Sequence, residues 1–436
     1  MGIIWHNKEF NQRRFIMSIF LVSKSKPLSG NIKISGSKNS VLPILAACIL
    51  TDEECVISSV PPLRDVIIML DILKKLGAIV DYIEKEQKAI ICCSDISITE
   101  DIFEDVGKLR ASFIIMGALL GRNKKAKIPL PGGCPIGSRP IDLHLKGFQI
   151  LGASIEQDMG FISAKVQKLI GGNIYLDFPS VGATENIMIA AAVSEGTTII
   201  ENAAAEPEIH DLGNFLSKMG CKVTGAGTDT IKIEGIKKLR GTKHNVIPDR
   251  IEAGTFMVAA AITRGDIIIE NVIYEHLKPV SAKLAETNTI IEELGDKKLR
   301  IYTNKNLIPI NLKTMPFPGF PTDMQAQFMS LSSVISGTSI ITETIFENRF
   351  IHAGELRRMG ANIKIDSRCA VIEGVKNLTG AQVRATDLRG GASLILSALV
   401  AEGETEISDI YHIERGYYNI DEKLKILGVN IKRMNK

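Results

Sequence analysis

Residues 182–220 read GATENIMIAAAVSEGTTIIENAAAEPEIHDLGNFLSKMG, and they contain most of the unit from which this chain is built. Ile187–Val193 is apolar on every side of a helix, which predicts a helix buried all round. A β-branched strand follows, then an amphipathic second helix that stops at Met219-Gly220. Glycine at that stop accepts the left-handed conformation of a helix C′ position. The same stop recurs at Leu76-Gly77, Leu151-Gly152, Thr287-Asn288, Met359-Gly360 and Leu427-Gly428, at intervals of about 70 residues. First helices accordingly start near Asn39, Arg110, Gly182, Glu252, Thr322 and Leu388. Six such units predict an α/β architecture with helices inside and sheets outside, divided into two domains of three units. The boundary is expected at His244–Asp249, giving one domain of 38–248 and another of 1–37 with 249–436, and the active site in the cleft between them.

Composition narrows the class. At 436 residues the chain exceeds what one core usually supports. A formal charge of +3, the lack of a Lys/Arg-rich run and few aromatics argue against a nucleic-acid partner, while an anionic small molecule stays open. Seven cysteines form an odd set without metal-ligand spacing, which argues against disulfides and metal and fits a reducing cytoplasm. Apolar stretches such as Val41–Leu50 fall far short of the ~20 residues that span a bilayer, so no membrane partner is expected. Phe15–Val22 after Arg13 and Arg14 imitates a signal sequence, but Lys24 and Lys26 follow and no small-residue cleavage site appears. Phe15–Ser23 reads instead as a first strand.

Charged loop residues stand out against the repeat. Thirteen residues before the stop glycine lie Arg64, Arg139 and Arg415 in the first, second and sixth units, and eleven before it lies Arg349 in the fifth. Convergence of these loops would create a cationic cleft; dispersed, they are solvated charges. Gly36-Ser37-Lys38-Asn39 puts Lys38 at the start of the first apolar helix, where backbone N–H groups and the helix dipole favour an anion, without a Walker pattern. Arg110 and Arg389 occupy the same position in their units and can grip a phosphate or carboxylate bidentately. Ser180–Thr184 suits a diphosphate or simply caps its helix, and Asp323 in Pro321-Thr322-Asp323-Met324 is a cap or a base. Residues 131–142, PGGCPIGSRPID, hold Cys134 in a stiff Gly/Pro loop near Arg139: an activated thiol, or a tight turn with an incidental cysteine.

Taken together and in order, these segments, with Pro248–Ala261, Phe320–Gln327, Thr342–Phe350 and Thr386–Arg389, closely resemble the UDP-N-acetylglucosamine 1-carboxyvinyltransferases from about Ile19 to the C-terminus. The shikimate-pathway enolpyruvyl transferases share the six-unit fold but are not expected to carry the cysteine loop. The resemblance implies an inside-out α/β barrel of the enolpyruvyl transferase type, with no metal or organic cofactor. It implies transfer of enolpyruvate from phosphoenolpyruvate to the 3′-hydroxyl of UDP-N-acetylglucosamine, the first committed step of peptidoglycan synthesis. Cys134 would then be the acid, able to form a phosphoenolpyruvate adduct and to be alkylated by fosfomycin, on a loop that closes as a lid. Asp323 would be the base, with Lys38 and Arg415 completing the catalytic set. Lys38, Asn39, Arg139, Arg389 and Arg415 match phosphoenolpyruvate positions. Arg110, Arg139, Pro140, Ile141, Asp142, Leu143, Ser180, Val181, Gly182, Asp323 and Ile345 match nucleotide-sugar positions.

Three features depart from the pattern. The fourth unit stops on Asn288 and continues into an irregular-looking Thr289–Arg300; Phe178 and Pro179 stand where some members carry a lysine; and the first sixteen residues have no counterpart. Competing readings are a paralogue with another acceptor and a non-catalytic nucleotide-sugar-binding regulator. A retained acid and base speak against the second.

Overall fold

The computed structural model describes residues 18–97, 113–130, 136–137 and 140–435. Among them are six small sheets, five of four strands and one of three. The predicted helix stops all adopt the left-handed region, Gly77, Gly152, Gly220, Asn288, Gly360 and Gly428 having φ between +71° and +108°. Asn288 thus does what glycine does in the other units. The segment after it is more regular than expected: Thr289–Gly295 pairs antiparallel with Lys298–Thr303, one register shift between Glu293 and Gly295 absorbing the irregularity. The first strand is observed over Ser18–Ser23, between Glu404–Ser408 and Ile431–Asn435.

The helices, in order, are α1 (Lys38–Ala47), α2 (Arg64–Lys75), α3 (Ile115–Asn123), α4 (Asp142–Ile150), α5 (Val181–Ala191), α6 (Pro207–Lys218) and α7 (Arg250–Thr263). They continue with α8 (Tyr274–Ala285), α9 (Gln325–Ser332), α10 (Ala353–Arg358), α11 (Leu388–Ala398), α12 (Tyr411–Glu414) and α13 (Ile420–Ile426). First helices are buried on all faces, as their apolar sequences demand: every residue of α9 and Ile251–Thr263 of α7 are inaccessible. Second helices such as α2 and α6 bury one face only. The sheets lie outside them, giving the inside-out arrangement. No helix among the described residues is long and apolar enough to cross a membrane.

Two separate hydrophobic cores result. One draws on residues from Val41 to Val246; the other on Phe20–Ile34 and on residues from Ile251 to Ile431. They are linked by an exchange of strands. Ser29–Lys33 leads into α1 yet pairs with Asp266–Glu270 of the second core, and Lys243–Asn245 leads into α7 yet pairs with Cys55–Ser58 of the first. The chain therefore crosses twice between the cores, and the two crossings pair with each other through Gly36 and Pro248. Ser37 N donates to Ile247 O at 2.8 Å and Asp249 N to Ser35 O at 2.9 Å. A Cβ on Gly36 would lie 1.8 Å from the Ser59 carbonyl oxygen, so only glycine permits this contact. The crossings place the N-termini of α1 and α7 side by side, and the candidate site grows from there.

Candidate active site

Asp249 joins the two helix starts. Its Oδ1 accepts from Ile251 N and Glu252 N at 2.8 and 2.9 Å, capping α7, while its Oδ2 accepts from Lys38 N at 3.3 Å. The Lys38 side chain reaches Asp65 Oδ2 at 3.2 Å, on the first turn of α2. Arg415, just past α12 in the second core, meets the same carboxylate, with Nε 2.9 Å from Oδ1 and Nη2 3.3 Å from Oδ2. Burial raises the Asp65 pKa, but Lys38 and Arg415 outweigh it and hold the carboxyl below its usual range. Burial lowers the Lys38 pKa; Asp65 opposes this and Arg389 and Arg415 add to it. Asp323 also acts on Lys38, favouring its charged form, so the two clusters lie within reach of each other's fields.

A second knot faces it. Asp323, in the short 3-10 turn before α9, binds Arg349 through Oδ1 at 2.9 Å and Arg389 through Oδ2 at 2.9 and 3.1 Å. Burial would raise its pKa, yet Arg389 and Arg349 drive it far below the carboxylate range. Asp387 sets Arg389 by capping α11, its Oδ1 accepting from Arg389 N and Gly390 N at 3.0 Å each. The Arg389 guanidinium lies 5.3 Å from the Tyr417 ring centroid, and its Nη1 is buried without a hydrogen-bond acceptor. An unpaired guanidinium donor of this kind is a ready place for an anionic ligand. Glu343, buried, accepts from Thr322 Oγ1 and Thr314 Oγ1 at 2.9 Å and from Ile345 N at 2.7 Å, tying the Asp323 turn to the segment carrying Ile345.

The nucleotide-sugar candidates of the first core adjoin one another. Pro140–Leu143 opens α4 and Ser180–Gly182 opens α5, with Ser180 Oγ accepting from Ala183 N at 3.4 Å. His144 Nδ1 lies 3.0 Å from Asn186 Nδ2, holding the two helix starts together. Asn39 follows Lys38 in the first turn of α1, half-buried. Cys134, Arg110 and Arg139 lie outside the described residues. The described part of the cysteine loop reaches the second core: Ile136 is buried and its carbonyl accepts from Asn348 N at 3.0 Å.

Of the repeat-equivalent arginines, Arg349 binds Asp323 and Arg415 binds Asp65. Arg64 does not join an anion site; it is exposed, 5.8 Å from the Tyr411 ring centroid. Sequence reasoning missed Asp65, which follows Arg64 and reads as an ordinary acidic residue of a helix start. It noticed Arg349 by its place in the repeat but gave it no role.

This geometry has known counterparts. A family model described as EPSP synthase (3-phosphoshikimate 1-carboxyvinyltransferase) matches residues 22–424. UDP-N-acetylglucosamine 1-carboxyvinyltransferase 1 of Caldanaerobacter subterraneus is 57% identical, covering 95% of this chain and 99% of its own length. UDP-N-acetylglucosamine 1-carboxyvinyltransferase 2 of Clostridium tetani is 56% identical, covering 96% of this chain and 100% of its own. The chain belongs to the UDP-N-acetylglucosamine 1-carboxyvinyltransferase family of enolpyruvyl transferases. More distant members share its fold. The crystal structure of the enolpyruvyl transferase NikO from Streptomyces tendae superposes with a TM-score of 0.87 at 24% identity, over 96% of this chain and 99% of NikO. EPSP synthase from Acinetobacter baumannii gives 0.74 at 17% identity, over 96% of this chain and 100% of its own. The six-unit, inside-out architecture is therefore that of the enolpyruvyl transferases.

Proposed function

We propose that the chain transfers the enolpyruvyl group of phosphoenolpyruvate to the 3′-hydroxyl of UDP-N-acetylglucosamine and releases phosphate, opening peptidoglycan synthesis in the cytoplasm. The observation that carries this reading is the pair of cation–carboxylate knots in one cleft. Each already holds an anion of the kind the small donor carries at its two ends. Phosphate falls to Lys38 and Arg415, with Arg139 and Asn39, and carboxylate to Arg389 and Arg349. The Pro140–Leu143 and Ser180–Gly182 helix starts, with Arg110 and Ile345, take the nucleotide sugar, whose hydroxyl faces Asp323. The two cores support a domain division at residues 37/38 and 248/249.

In the reaction, Cys134 gives its proton to C3 of the donor, making C2 electrophilic. The sugar oxygen bonds to C2 and yields its proton to Asp323. A C3 proton then returns to the Cys134 thiolate as the bond from C2 to the phosphate oxygen breaks, which restores the double bond and leaves the enol ether, and Asp323 gives its proton up to solvent. Asp323 bound to two arginines is too weak a base to take the sugar proton. When the donor carboxylate takes Arg389 and Arg349, Asp323 is released and its pKa climbs toward the ordinary range. Binding the donor thus arms the base for the acceptor hydroxyl. Inactivation by fosfomycin belongs to the same reading, since it requires the Cys134 thiol.

Phosphate release from phosphoenolpyruvate with UDP-N-acetylglucosamine or with shikimate 3-phosphate, for the native chain and Cys134→Ala, tests the proposal. Release with the nucleotide sugar alone, abolished by the substitution, is expected. Release with neither acceptor by a folded protein that binds UDP-N-acetylglucosamine would favour a regulator instead.

A further inference from the structure

The segment from Tyr411 to Tyr418 is an arm by which the second core reaches the first. Tyr417 is buried in the second core, while its neighbour Tyr418 packs against the first. Two consecutive residues at the start of α2 take hold of this arm: Arg64 lies over the Tyr411 ring and Asp65 binds Arg415. Asp65 alone also binds Lys38. The exposures are graded. The Asp65 side chain is 3% exposed, that of Lys38 12% and that of Arg415 37%. The carboxylate lies beneath and the cations above it, toward the cleft, and Asp65 takes only one of the three ammonium hydrogens of Lys38.

We infer that Asp65 is a positioning residue: it holds Lys38 of one core and Arg415 of the other in register for the donor phosphate. This rests on the reading that those two cations bind the phosphate. Without Asp65, two cations would face each other across the cleft and repel. Arg415 would lose the two hydrogen bonds that Asp65 accepts from it. Lys38 would keep the depressing influence of burial, Arg389 and Arg415, and of the two carboxylates that counter it only Asp323 would remain. Asp249 engages the Lys38 backbone only; on the neighbouring α6, Asp211 is bound by Ser40 and His244, and Glu208 by Arg250. None of these can replace Asp65.

Steady-state kinetics of Asp65→Asn, Asp65→Glu and Arg64→Ala test the inference. For Asp65→Asn, KM for phosphoenolpyruvate should rise about tenfold or more, the size of one lost charge-assisted hydrogen bond, with KM for UDP-N-acetylglucosamine within about twofold of native. The alkaline limb of kcat/KM for phosphoenolpyruvate should move to lower pH, because Lys38 deprotonates more easily. Asp65→Glu restores the charge, so the limb should return while KM stays raised about threefold through the displaced carboxylate. Arg64→Ala, which loosens the arm without touching the ion triad, should leave donor KM within about twofold. Should Asp65→Asn fail to fold, the Glu variant decides: a selective rise in donor KM supports the inference and a native value overturns it. An unmoved alkaline limb in Asp65→Asn, or an Arg64→Ala effect equal to it, also overturns it. If the native chain releases no phosphate with UDP-N-acetylglucosamine, the functional reading itself fails, which these variants cannot mimic.

Discussion

The two knots of the cleft are chemically alike and built inside out with respect to each other. In the first, the carboxylate of Asp65 is hidden, 3% exposed, beneath Lys38 and Arg415 at 12% and 37%. In the second, Asp323 is 28% exposed and covers Arg349 and Arg389, each at 3%. The first also joins the two cores, Lys38 and Asp65 coming from one and Arg415 from the other, whereas all members of the second come from one core. A buried carboxylate under exposed cations is a platform that can stay in place while an anion lands on it. An exposed carboxylate over buried arginines must leave before an anion can reach them. Under the proposed function this difference makes Asp65 the positioning residue and Asp323 the proton acceptor.

The largest expected effect follows from that assignment. Asp323→Asn should lower kcat by about 10²–10⁴-fold, the usual contribution of a general base, and should lower donor KM rather than raise it, because the carboxylate that competes for Arg349 and Arg389 is gone. A rise in donor KM alone, measured by phosphate release, would make the two aspartates equivalent. A smaller effect concerns stability. Arg349→Ala removes one partner from a buried pair and should cost about 3 kcal/mol in denaturant unfolding, whereas Arg415→Ala, more than a third exposed, should cost about 1 kcal/mol or less. Equal losses would mean that the first knot is as much a part of its core as the second.

Much of this was legible in the chain and some was not. The helix stops declare themselves because a left-handed residue is required at each, and Asn288 obeys the same rule in a different side chain. The buried first helices are legible because a run such as Phe256–Ile262 has no polar face to offer water. Lys38 and Arg389 emerge from equivalent helix starts in the first and sixth units, and Arg415 from the loop position it shares with Arg64 and Arg139. Asp65 does not, because its meaning lies in a partner 350 residues away, and nothing local separates it from a helix-start acid that merely favours the dipole. Likewise Asp323 shows its carboxylate in sequence but not that Arg349 and Arg389 hold it, 26 and 66 residues distant. The boundaries at 37/38 and 248/249 already put Ser29–Lys33 with the second core and Lys243–Asn245 with the first, but nothing in the sequence told that the two crossings pair with each other through Gly36 and Pro248.

The most direct measurement is a crystal structure of Cys134→Ala, which under the proposed function should bind the donor without protonating it, with phosphoenolpyruvate and UDP-N-acetylglucosamine both present. Arg349 and Arg389 should then lie on the donor carboxylate, with Asp323 turned to the sugar 3′-hydroxyl and Asp65 still bound to Lys38 and Arg415. A complex in which Asp323 keeps both arginines, or in which Asp65 releases its cations to the phosphate, would contradict the division of labour between the two knots.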